Sequence, residues 1–133
     1  MRPSSKISIT NGGLTTDTLT VDTVGYTYLT IIGSTAGTAG AVATTSKLQE
    51  SDDNSSYSDI TGSVATATTT SAATVAKIAW NVDLRGRKRY IKATVVQTGS
   101  TNNLVTIVGV SQNASKDQPV TATVAGVTNL FNL

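Results

Sequence analysis

The sequence predicts an all-β protein, an antiparallel β-sandwich of jelly-roll type in a single domain. Three observations predict it. Thr, Val and Ile together make up 47 of the 133 residues, and β-branched side chains, stiff at χ1, suit pleated strands better than helices. Apolar and polar residues alternate repeatedly, while no stretch carries the apolar stripe of an amphipathic helix. Turn signals recur about every 8 to 12 residues, as in sandwiches and barrels. A chain of 133 residues fits one domain with a core of its own.

The elements follow in order. Residues 6–10, KISIT, open with alternation, and NGG (11–13) is a turn. DTLTVDTV (17–24) sets Leu19 and Val21 against Thr18, Thr20 and Asp22. YTYLTIIG (26–33) is more apolar and reads as a buried strand, whereas STAGTAGA (34–41) has no period and reads as a loop. AVATTSKLQES (41–51) is a strand, DDNSS (52–56) a turn and YSDITG (57–62) a short return strand. SVATATTTSAAT (63–74) reads as strand plus loop, since its threonines oppose a helix. VAKIAWNVDL (75–84) is the clearest strand, with Ile78, Trp80, Val82 and Leu84 on one face and Lys77, Asn81 and Asp83 on the other. RGR (85–87) turns into KRYIKATVVQTG (88–99), whose core face carries Ile91, Ala93 and Val95. STNN (100–103) is a turn, LVTIVGVSQ (104–112) a strand, NASKDQP (113–119) a loop and VTATVAGV (120–127) a final alternating strand. The ends, residues 1–10 and 128–133, are expected to be extended arms. Leu130, Phe131 and Leu133 are apolar and need cover, which a neighbouring subunit or another protein would supply.

Composition excludes several chemistries. The chain has no Cys and no His, so thiolate zinc sites, Cys nucleophiles and His general bases are out. No S-x-x-K, P-loop or G-x-G-x-x-G pattern is present. An enzyme, a cofactor and a metal site are therefore not expected. Charged residues are only 14% of the chain against about 25% in ordinary domains, so hydroxyls, 25 Thr and 14 Ser, must carry its solubility. No apolar run approaches the roughly 20 residues of a membrane helix, and MRPSSKISIT lacks the apolar segment of a secretory leader.

Two charged clusters remain. Glu50, Asp52 and Asp53 in ESDDNSS (50–56) lack the spacing of a calcium loop, and Asp, Asn and Ser also close turns on their own backbone. DLRGRKRYIK (83–92) holds five of the ten Lys and Arg residues. Strand alternation divides them. Arg89 falls on the core side, with Asp83 its nearest acidic partner in sequence. Arg87, Lys88, Tyr90 and Lys92 are expected to point outward as a protein-docking patch. One aromatic within the segment and a charge split between two faces argue against nucleic acid.

Two segments carry a resemblance. KLQESDDNSSYSDITG (47–62) is similar to a hairpin common in tailed-bacteriophage structural proteins, and AKIAWNVDLRGRKRYIKATVVQTG (76–99) resembles the part that follows it there. The chain thus resembles small head decoration, or cement, proteins over roughly residues 41 to 112. The resemblance implies a virion structural protein on the capsid exterior, assembled in the host cytoplasm. Its partner would be the major capsid protein, and it would bind as a homo-oligomer, a trimer suiting threefold positions. Similar hairpins occur in tail proteins, and RYIK after a Trp strand also resembles discoidin-like jelly rolls, so a tail component and a carbohydrate-binding module stand as alternatives. Trp80, the sole Trp, falls on the expected core face, which counts against sugar stacking.

Overall fold

The computed structural model describes residues 5–12, 16–37, 42–69, 75–99, 103–113 and 129–133, and the expected strand at 120–127 lies outside them. Among the described residues there are ten strands and no helix: β1 (Ser5–Gly12), β2 (Thr16–Asp22), β3 (Tyr28–Gly37), β4 (Val42–Ser51), β5 (Ser58–Asp59), β6 (Ala65–Thr69), β7 (Val75–Asp83), β8 (Tyr90–Gly99), β9 (Asn103–Gln112) and β10 (Asn129–Asn132). They form two sheets. One runs β1-β9-β3-β7-β10, and the other runs β2-β8-β4-β5, with β6 also paired to β4. Every pairing is antiparallel except that of β10 with β7, which is parallel.

The period-2 pattern explains which face each strand buries. On β2, Leu19 and Val21 are buried while Thr18 and Thr20 are exposed. On β7, Ile78, Trp80 and Val82 point into the core, and Leu84 just beyond the strand is buried too. On β8, Ile91, Ala93 and Val95 are buried in phase. All seven residues expected in the core of β7 and β8 are there. Trp80 is fully buried at its centre with Leu29, Ile31, Leu48, Ile60 and Ile107, and each such aliphatic side chain contributes about 1.5–3 kcal/mol by leaving water. On β9 the inward position 109 is glycine. A Cβ there would stand 3.2 Å from Val21 and 3.3 Å from Leu19, so the missing side chain lets β2 close down on β9.

Four expectations are corrected. Residues 5–12 are not an arm but strand β1, paired along its length with β9 from Ser5↔Gln112 to Gly12↔Val105, and this run absorbs Asn11 and Gly12 of the expected turn. Residues 129–132 are likewise not an arm. They form β10 on the edge of β7, in the register Leu130↔Ala79 and Phe131↔Trp80. The segment 34–41, expected as a loop, continues β3 as far as Gly37, because β7 and β9 flank it and take up its backbone groups. The sheet expected to be wholly antiparallel ends in a parallel pair.

Candidate functional site

Three connections meet at one end of the sandwich: residues 23–27 between β2 and β3, 52–57 between β4 and β5, and 84–89 between β7 and β8. Strand order brings them together. β8 lies between β2 and β4, so Tyr90 at its start has Asp22 opposite on one side and Ser51 on the other. The turn before Tyr90 thus enters between Asp22, at the end of β2, and the acidic connection that follows β4.

The five cations of DLRGRKRYIK all find partners there. Arg85 Nε donates to Asp83 Oδ1 at 2.8 Å. Arg87 lies 3.9 Å from Glu50. Lys88 donates its backbone N–H to Glu50 Oε2 at 3.3 Å, and its Nζ is 3.6 Å from Asp52. Arg89 grips Asp22, and Lys92 sits over the Tyr57 ring, 3.8 Å from its centroid. Gly86, at φ 82°, makes the tight turn that splays Arg85 and Arg87 to different partners. The partner expected for Arg89, Asp83, is taken by Arg85, its neighbour two residues on. Arg87 is half-buried rather than freely exposed. Tyr90 is half-buried with the Arg89 guanidinium 4.9 Å from its ring centroid. The patch is therefore tied to Asp22, Glu50, Asp52 and Asp83 in an ion-pair lattice that links three connections of this chain.

The acidic loop is stitched by the same logic. Asp53 Oδ1 accepts from the Ser51 hydroxyl at 2.8 Å and from the backbone N–H groups of Ser55 and Ser56 at 2.9 and 2.8 Å. Those bonds, Ser56 foremost, hold its pKa down to about 2. Asp83 is lowered to about 2 as well, first by the side chain of Arg85 and then by its backbone N–H. Asp59 is lowered by its bonds to Lys47 Nζ (2.9 Å) and Gln49 Nε2 (2.7 Å). Asn54 takes the left-handed turn conformation, φ 58°, that Asn tolerates. Among the described residues no three His, Cys, Asp or Glu side chains gather as a metal site.

The C-terminal candidates lie close by. Phe131 stacks on Trp80 with centroids 6.3 Å apart and planes 26° from parallel. Leu133 donates its N–H to Asn81 O at 2.8 Å, accepts from Asp83 N at 2.9 Å, and packs against the core. Leu130 takes the register position beside Ala79. Phe131 and Leu133 are thus covered by this chain's own sandwich. Trp80 has no face free for a sugar ring: it is fully buried, and its Nε1 donates to Ser63 O at 2.8 Å.

Two residues were not singled out from the sequence. Ser63, fully buried, accepts from Leu48 N at 3.0 Å and donates to Ile60 O at 2.7 Å, which ties β4 to the turn after β5. Its only sequence signal is its place after the turn glycine Gly62. Gln97 is buried in phase with Ile91, Ala93 and Val95, and neither end of its amide has a hydrogen-bond partner. The period-2 pattern of β8 does place it inward.

The chain matches no protein-family model and no curated protein sequence.

Proposed function

We propose that the chain is a non-catalytic virion structural protein, a decoration or cement protein of a tailed-phage head that binds the major capsid protein from outside as a homo-oligomer. The observation that carries this reading is the union of the two segments with phage-like character. Residues 47–62 and 76–99 interlock through Glu50 with Arg87 and Lys88, Asp52 with Lys88, Tyr57 with Lys92, and Ser63, just beyond the hairpin, with Trp80. The resemblance therefore covers one contiguous body rather than two unrelated stretches. The strand order supports a jelly-roll reading, since β1 to β4 alternate between the sheets one by one, β4 and β6 share a sheet, and β6 to β9 alternate back, which interleaves the two halves as β1-β9-β3-β7 and β2-β8-β4 with β6 on β4. Ion pairs that hold surface connections rigid suit a protein whose task is to keep its shape while clamping neighbours.

The test is co-sedimentation of the purified chain with undecorated heads and, separately, with tails. Saturable binding to heads, and greater resistance of those heads to heat, is the expected outcome. Binding to tails alone, or to neither, overturns the proposal.

A further inference from the structure

We infer that the interior of the sandwich binds one monovalent cation, of sodium or potassium size, among the side-chain oxygens of Asp17, Thr35, Thr44, Ser46 and Gln97. The site is independent of the capsid reading.

The inward faces of four strands change character toward one end. On β2 Asp17 precedes Leu19, and on β4 Thr44 and Ser46 precede Leu48. On β3 Thr35 lies beyond Ile31, and on β8 Gln97 lies beyond Val95. All five polar residues are buried, and all stand toward the end opposite the ion-pair lattice. Register gathers them. Gln97 pairs directly with Thr44, while Asp17 and Ser46 flank Val95, the preceding inward residue of β8. Directly opposed Cβ atoms on one sheet face stand about 4.5–5.5 Å apart, and diagonal neighbours about 7–8 Å. Those separations are within the span of a bridging ion held by side-chain oxygens. Thr35 reaches in from the facing sheet, its Oγ1 3.4 Å from Thr44 Oγ1.

Two of these side chains call for a ligand. Ser46 is fully buried and Gln97 is 2% exposed. Ser46 Oγ, Gln97 Oε1 and Gln97 Nε2 have no hydrogen-bond partner within the protein. Such atoms are destabilising, and folded proteins keep few of them unless an ion, a water or a function accounts for them.

The donor set selects the occupant. Apart from Gln97 Nε2, the polar atoms offered are oxygens, which suit a hard cation rather than a soft one. Among the five side chains, only Asp17 is a carboxylate. One carboxylate balances one positive charge, whereas a divalent ion would leave a net charge in the interior, where an uncompensated charge is costly. The ion takes Ser46 Oγ and Gln97 Oε1, and a water in its shell accepts from Gln97 Nε2. One occupant thus satisfies all three orphan atoms. Polar groups kept in a core at the expense of stability are the usual mark of a binding role.

The test melts the wild-type chain in NaCl, in KCl and in choline chloride at equal ionic strength, which holds screening constant. Choline, its charge shielded by methyl groups, does not fit among these oxygens. A ligand that binds only the folded state raises the melting temperature with its concentration. The expected result is a saturable rise of a few degrees in NaCl or KCl over choline chloride, lost in Gln97→Met and in Ser46→Ala. In choline chloride Gln97→Met should melt no lower than wild type, since there the amide has no ion to bind. Equal melting of the wild type in the three salts overturns the inference and leaves water as the partner of these groups. An ion-specific rise that survives in either variant places the ion elsewhere and overturns it as well.

Discussion

Arg89 and Asp22, 67 residues apart in the chain, meet as a two-pronged ion pair: Nε to Oδ1 at 3.0 Å and an Nη to Oδ2 at 2.8 Å. Donating these bonds to the Asp22 carboxylate raises the pKa of Arg89. The same residue's carbonyl accepts from Thr23 N at 2.9 Å and Thr23 Oγ1 at 2.6 Å, so Arg89 clamps the β2–β3 turn from both backbone and side chain. A planar fork is needed for two parallel bonds. Arg89→Lys should therefore lower the melting temperature nearly as much as Arg89→Gln, by a few degrees. Raising salt should shrink the gap to wild type, because the pair is half-exposed and screened. Thermal melts at low and high salt check this. A lysine variant indistinguishable from wild type would show that charge alone suffices.

Acid stability should fall in a defined window. Asp53 and Asp83 are both depressed from 3.8 to about 2 in the folded chain. A depressed carboxyl adds stability above its unfolded pKa and loses it as pH drops through the folded value. Wild type should thus lose stability between about pH 4 and pH 2. Asp53→Asn should flatten that limb and cost stability near neutrality, where the carboxylate was accepting its three loop bonds. Denaturant melts between those pH values decide it, and an unchanged acid limb would assign the loss to other groups.

Trp80 joins the sheets through volume and through one hydrogen bond. Trp80→Ala should cost about 3–5 kcal/mol. Trp80→Phe keeps most of the volume but leaves Ser63 O without its donor, at about 1–3 kcal/mol. Ser63→Ala should cost a similar amount, since it orphans Leu48 N. Urea unfolding followed by the emission of the single Trp measures all but the Trp80 variants, which are followed by circular dichroism. An exposed, red-shifted Trp emission from native wild type would contradict its burial.

Gln97 offers a gain. Both amide atoms are buried without partners, and an unsatisfied polar group in the core is destabilising. Gln97→Met keeps the unbranched shape and removes the amide. The expected result is about 1 kcal/mol of added stability, read as a higher urea midpoint with an unchanged slope. A lower midpoint would mean that the amide is satisfied in solution.

The local pattern settled most of the architecture from sequence alone. Alternation of Leu19 with Thr20, or Trp80 with Asn81, decides strand and face together, because side chains on a strand point to opposite sides at every step. The turns around Gly86 and Asp53 were legible for the same local reason. What sequence could not decide is which distant elements become neighbours. Asp83 stands near Arg89 in the chain, yet Asp22 is its partner, because β8 pairs with β2 and delivers Asp22 beside Tyr90. The basic run read as a free docking patch because its counter-charges, Glu50 and Asp52, arrive on a different strand. Phe131 and Leu133 read as uncovered because the edge that covers them is distant in the chain, 51 residues for Asn132 and Asn81, and no rule of local propensity specifies a parallel partner. Strand identity is a short-range property of side-chain sterics and period. Pairing order, and with it the site, comes from the global competition to bury apolar faces and satisfy backbone groups, which only the folded chain resolves.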